Sequence, residues 1–173
     1  MSSVAKKLPK PVQLAELITV PDMTAPELLA AIQLELNVTS LNSYLPGWNF
    51  FADRHGQSLG YGGKQYEVMT WQKTKSGSVT QADLRNLFKE QGFAGNIPAL
   101  LTWVWRHAPV GFYATLPDSD DELFINHADA DQLNTLFYHR AASNTRLYLM
   151  GVPFKCSPAE TYLAFREVSA SPA

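Results

Sequence analysis

Apolar positions along the chain change period several times, and each change predicts an element. Leu28, Leu29, Ile32 and Leu36 fall on one helical face just after Thr24, whose hydroxyl can cap the first turn while Glu27 completes a capping box. Pro26 is tolerated in that first turn because its missing N–H would have no intrahelical partner. A second helix is predicted from Thr80, with Asp83 in the box position and Leu84, Leu87 and Phe88 at helical spacing, stopping at Gly92. A third run opens at Asn96 and Pro98 and places Leu101, Val104, Trp105 and Ala108 on one face before Pro109, although 102–105 also suits a buried strand.

Between these helices the pattern turns aromatic and β-branched. Strands are expected near 48–54 and 64–72, forming a hairpin around Gly56, Gly60, Gly62 and Gly63, whose φ freedom suits a tight loop. The apolar runs 111–116 and 122–126 flank the polar turn 117–121 and read as a second hairpin. Leu133, Leu136, Phe137 and Arg140 share one helical side, so 129–142 is expected to be helix, and 144–154 contains a strand. In the last stretch, Ser157, Pro158 and Glu160 can cap a helix while 161–168 can alternate as an edge strand; helix is the reading taken. Residues 1–13 and 169–173 read as flexible ends around a single domain, 14–168. With no regular strand–helix alternation, the expected class is α+β, an antiparallel sheet built from hairpins with helices packed mainly on one face.

Composition supports a self-sufficient fold. At 173 residues with 46% apolar and 17% charged residues, the chain can bury a core without a metal or disulfide staple. Its 14 Lys and Arg against 16 Asp and Glu provide no general field for nucleic acid or anionic membrane. No apolar run reaches the roughly 20 residues of a membrane span, and the lysine- and proline-containing start lacks the apolar core of a secretory signal. One cysteine, Cys156, cannot form a disulfide within the chain, which favours a cytoplasmic setting.

Candidate chemistry centres on Arg54-His55-Gly56-Gln57-Ser58. An imidazole can attack phosphorus, a guanidinium can hold two phosphate oxygens, and glycine admits close backbone approach. The segment resembles the signature of the histidine phosphatase and phosphoglycerate mutase family, and the resemblance implies His55 as nucleophile and Arg54 as phosphate ligand. The family's late histidine followed by glycine has no counterpart, since His107 and His127 precede alanine and His139 precedes arginine. The tripeptide also follows a helix here, where the family places it at the end of its first strand. A Walker loop ending at Gly63-Lys64 fails on Ser58 and Gln65. His127 with Asp129 and Asp131 is the nearest approach to a metal cluster, but acids at a helix start serve the dipole, and no metal or cofactor is expected.

Trp48, Phe50, Phe51, Tyr61, Tyr66 and Trp71 crowd the first hairpin, so some rings can anchor an interface. The expectation is therefore a non-catalytic protein that binds a protein partner in a regulatory, adaptor or inhibitor role. Its binding residues are Trp48, Phe51, Arg54, His55, Tyr61 and Lys64, beside an acidic loop containing Asp118, Asp120 and Asp121. One alternative is a winged-helix-like DNA or RNA binder using Arg85, Lys89 and Arg106, from the helix, helix, hairpin order of 80–126. The second alternative is a phosphate-handling enzyme built on His55 and Arg54.

Overall fold

The computed structural model describes residues 10–41, 49–52, 57–72, 79–116, 134–141, 144–151 and 160–168. In chain order these form β1 (Val12–Thr19), α1 (Ala25–Glu35), β2 (Val38–Leu41), β3 (Gln65–Gln72), α2 (Gln81–Glu90), α3 (Ile97–His107), β4 (Gly111–Thr115), β5 (Asn134–Arg140), β6 (Thr145–Gly151) and β7 (Glu160–Glu167). The three helices begin as their caps predict. Thr24 and Glu27 close one capping box, Thr80 and Asp83 close another, and the Asn96 side chain accepts from the Ala99 amide. Each cap satisfies N–H groups that a helix leaves unpaired at its start.

All seven strands join one sheet in the order β1-β3-β7-β4-β5-β6-β2. The pairings β7 with β4 and β2 with β6 are parallel, while the other four are antiparallel. The sheet is thus mixed, which overturns the expectation of an antiparallel sheet built from hairpins. Two causes account for the difference. β3 is flanked by β1 and β7 in place of the 48–54 segment, whose described part is a turn carrying a single bridge from Ala52 to Ser58. β7 returns from the end of the chain to enter the middle of the sheet, so its contact with β4 cannot be a hairpin.

Two helix expectations fall with it. The described part of 129–142 is β5, and the described part of 157–168 is β7 followed by Val168. Both strands have partners on each side and apolar residues on each face: Leu136, Phe137 and Tyr138 are buried in succession, as are Tyr162, Leu163, Ala164 and Phe165. A strand buried on both faces loses the alternation that marks a half-exposed one, and a continuous apolar run also satisfies a helical spacing. The opposite ambiguity at 97–108 resolves as helix α3, also buried nearly all round from Ile97 to Val104. Residues 117–133, including the expected second hairpin's turn and return strand, lie outside the described residues.

The alternation of side chains divides the core. On one face α1 and α3 pack against Ile18, Tyr66, Val68, Leu136, Tyr138, Leu147, Leu163 and Phe165. On the other, Leu84 and Phe88 of α2 join Met69, Trp71, Ala114, Phe137, Tyr162 and Ala164. Helices therefore cover both faces, two on one side and one on the other. β1 starts at Val12, within the stretch read from sequence as part of the arm, and pairs with β3 from Thr70 onward.

Two short connections fix how α3 meets the sheet. At Gly95 the backbone passes so close to Leu116 that an added Cβ would stand 1.4 Å from the Leu116 carbonyl oxygen. At the other end, α3 stops because Ala108 takes a left-handed conformation, φ 44° and ψ 50°, with its carbonyl held by Arg140 at 3.3 Å. The next carbonyl, Pro109, accepts from the Tyr138 hydroxyl at 2.9 Å.

Gly95→Ala is expected to destabilise the fold by about 3 kcal/mol or more, because backbone must move to admit the methyl group. Ala108→Gly should leave stability unchanged or raise it by up to about 1 kcal/mol, relief of left-handed strain outweighing the added chain entropy of glycine. Urea unfolding of the two variants checks both, and a mild Gly95→Ala or a strongly destabilised Ala108→Gly would contradict these contacts.

Candidate functional site

The glycine-rich loop is built as an extension of the β1–β3 pairing. The Val20 amide donates to the Lys64 carbonyl at 2.9 Å and the Gly63 amide donates back to the Val20 carbonyl at 2.7 Å. Gly60 and Gly63 adopt φ of +72° and +79°, which an L residue rarely takes. The Gly60 amide donates to the Ser58 hydroxyl at 3.1 Å, and the Lys64 amide donates to the Tyr61 carbonyl at 3.3 Å. Three amides that a phosphate cradle would aim at its ligand are therefore spent within the chain, and Gly62 packs beside the Asp22 carboxylate. Among the described residues of the loop, these amides serve its own shape and are not available to an anion.

The loop is one side of a cleft of about 210 Å³ lined by Leu59, Tyr61, Lys64, Tyr66, Asn96 and Phe165, with Glu167, Ala94 and Gly95 completing it. Tyr66 and Phe165 are buried on neighbouring strands β3 and β7 and supply its base. Tyr61 meets Tyr66 edge to face, with ring centroids 6.3 Å apart. The opposite wall is the 94–96 segment that leads into α3. Ala94 exchanges backbone hydrogen bonds of 3.0 and 2.8 Å with Phe165, and the Asn96 amide donates to the buried Thr115 hydroxyl at 3.0 Å. The Thr115 hydroxyl in turn donates to the Leu163 carbonyl at 3.0 Å, so this wall is tied to β4 and β7 together.

Charge enters at the rim. Lys64 Nζ lies 3.3 Å from the Glu167 carboxylate, and both side chains are about half exposed, at 45% and 50%. An ion pair so wet contributes little to stability and can be exchanged for other partners at low cost. The next acid and base are committed elsewhere: Arg166 forks onto Glu67, donates to the Gln91 carbonyl and lies 4.4 Å above the Phe93 ring. This clamp holds the 91–94 turn against the sheet and so supports the wall from outside.

Of the residues expected to bind, Tyr61 and Lys64 come together at this cleft. Phe51 is half-buried against the α1–α3 core, its ring 5.5 Å from the buried Phe50. Trp48, Arg54 and His55 lie outside the described residues, and so do Asp118, Asp120, Asp121, His127, Asp129, Asp131 and Cys156. Phe50, Tyr66 and Trp71 are core residues, so the aromatic density of that region mostly packs the fold. Asn96, Phe165 and Glu167 escaped the sequence reading. Asn96 was legible as a cap, but its role in the cleft, like that of Phe165 and Glu167, depends on β7 pairing with β3.

The three cations of the nucleic-acid alternative do not share an element. Arg85 is half-buried and Lys89 exposed on α2, whereas Arg106 is on α3 and donates to the Leu17 carbonyl at 3.2 Å. α3 is enclosed over most of its length and so presents no face to a groove, unlike a recognition helix. Its last turns are latched by carboxylates: Glu16 accepts from the Trp103 indole at 2.8 Å and stands 2.9 Å from His107 Nε2, while Glu35 accepts from the Trp105 indole. Among the described residues no helix is long and apolar enough to cross a membrane, and no group of three or more potential metal ligands occurs.

Among the described residues, three groups depart from their ordinary protonation range. Hydrogen bonds from Thr24 hold Glu27 low, as suits a capping carboxylate. Burial pushes the Tyr138 hydroxyl up. Burial likewise pushes Glu160 up, partly offset by the hydroxyl proton that Tyr162 donates to it at 2.6 Å. Comparison with protein-family models, curated proteins and solved structures finds no match to this chain.

A raised Glu160 binds its proton more tightly in the folded chain than in the unfolded one. The resulting stabilisation is complete below the ordinary value of 4.5 and is lost as pH rises through the higher folded value. Glu160→Gln keeps this position neutral, so its stability relative to wild type should increase from about pH 4 to about pH 7. Urea unfolding across that range is the measurement; a flat or falling difference would show that Glu160 is not held up by burial.

Proposed function

We propose that this chain is a non-catalytic binding protein that takes a side chain of a partner polypeptide into the cleft between the glycine-rich loop and the start of α3. The observation that carries this reading is the cleft's make-up: a rigid aromatic base of Tyr66 and Phe165, a Tyr61 wall, and an exchangeable Lys64–Glu167 pair at the mouth. Tyrosine-rich, partly polar sites of this kind anchor protein contacts because a ring buries much area for little lost side-chain entropy. At about 210 Å³ the cleft falls below the roughly 300–1,000 Å³ of small-molecule sites, which favours one inserted side chain over an entire cofactor.

Lys64 and Glu167 give such an anchor a direction. A partner segment with an acid on one side of the inserted residue and a base on the other would replace the internal ion pair by two intermolecular ones. The pinned wall and loop support binding without large rearrangement, which limits the entropy lost on association. A small regulatory, adaptor or inhibitor protein acting in the cytoplasm would make use of such a site, and the single cysteine is in keeping with that compartment.

Selection from a random peptide library, followed by calorimetry on the purified chain, tests the reading. Selected peptides should share an apolar residue flanked by opposite charges. Tyr61→Ala should weaken their binding by about 2 kcal/mol, roughly thirtyfold, and Lys64→Glu should shift selection away from the acidic flank. Failure to enrich any peptide, or undiminished affinity in Tyr61→Ala, would rule out the cleft as a polypeptide site.

A further inference from the structure

A second surface lies on the sheet face that carries α2. Strand register places Glu160 of β7 beside Phe112 of β4, Phe112 opposite His139 of β5, and His139 opposite Arg146 of β6. The next row on that face, Tyr162, Ala114 and Phe137, belongs to the α2 core, so the four residues form a row just past its margin. Phe112 and His139 stack with centroids 3.9 Å apart and planes 17° from parallel. His139 is half-buried and Arg146 exposed.

The row holds its acid, Glu160, and its guanidinium, Arg146, at opposite ends. Arg106, Arg140 and Arg166 are tied respectively to the Leu17 carbonyl, the Ala108 carbonyl and Glu67. Among the described residues, neither the Arg146 guanidinium nor the His139 ring nitrogens have a hydrogen-bond or ion-pair partner. Glu160, the acid of the row, is two strands from His139, about 10 Å, and its carboxyl is engaged by the Tyr162 hydroxyl. Opposite charges across such a pair are stabilising and like charges are not. Here a guanidinium faces an imidazole, with Cβ atoms about 5 Å apart, and both can donate to oxygens of one tetrahedral anion. A planar guanidinium can hold two such oxygens, and the imidazole can supply a third donor.

We propose that Arg146 and His139 form a binding site for a phosphate group, carried on a monoester or free as the ion, with Phe112 stacked on the imidazole. The site is separate from the cleft, on the opposite face of the sheet, so either can fail without the other. NMR titration of the full chain with inorganic phosphate and with phenyl phosphate, at constant ionic strength, provides the test. The Arg146 and His139 side-chain signals should shift saturably with either probe. Arg146→Gln should weaken binding at least about tenfold, His139→Gln should also weaken it, and Lys89→Gln on α2 should leave it unchanged. Tighter binding of phenyl phosphate would support an organic monoester as the source, and equal binding a free phosphate ion. A drift that does not saturate, or unchanged affinity in Arg146→Gln, would overturn the proposal.

Discussion

The placement of β7 in the middle of the sheet is the constraint on which the rest of the structure depends. This strand pairs with β3 over seven residues and with β4 over four, and it is buried on both faces. Without it β1 and β3 would be separated from β4, β5, β6 and β2, and both cores would be cut along the line where they are deepest. Because β3 and β7 are far apart in sequence, their contact gains nothing until a long loop has been closed. Pairing between segments so distant slows folding relative to local contacts.

The cleft follows from the same strand. Phe165 supplies its base, Glu167 its acidic rim, and the backbone bonds of Phe165 to Ala94 fix the wall opposite the glycine-rich loop. Gly95 completes that wall because only a residue without a side chain can pass Leu116 at the observed distance. The residues that hold the sheet together therefore also line the cleft. The parts closest to the core are rigid, while the Lys64–Glu167 pair at the mouth is solvated and weak enough to be exchanged.

α3 shows how a helix can look functional and be architectural. Trp103, Trp105, Arg106 and His107 have the composition of an interface hot spot, yet the two indoles are held by Glu16 and Glu35 and Arg106 is held by a strand carbonyl. These bonds fasten the end of the helix to β1 and α1. Indole N–H groups at the margin of a core need an acceptor, and here the carboxylates supply it.

The sequence by itself determined two helices, because caps and i, i+3, i+4 spacing are local: Thr24 with Glu27, and Thr80 with Asp83; at Asn96 it left helix and strand both open, and the structure decided for α3. The sequence also singled out the glycine-rich loop and, within it, Tyr61 and Lys64. Tertiary structure alone decided that 134–140 and 160–167 are strands, since a segment buried on both faces has no period to reveal its state. It alone brought Asn96, Phe165 and Glu167 to Tyr61 and Lys64, and set His139 opposite Arg146. Register between distant strands leaves no local trace in the residues it joins; it arises from burying every apolar face at once.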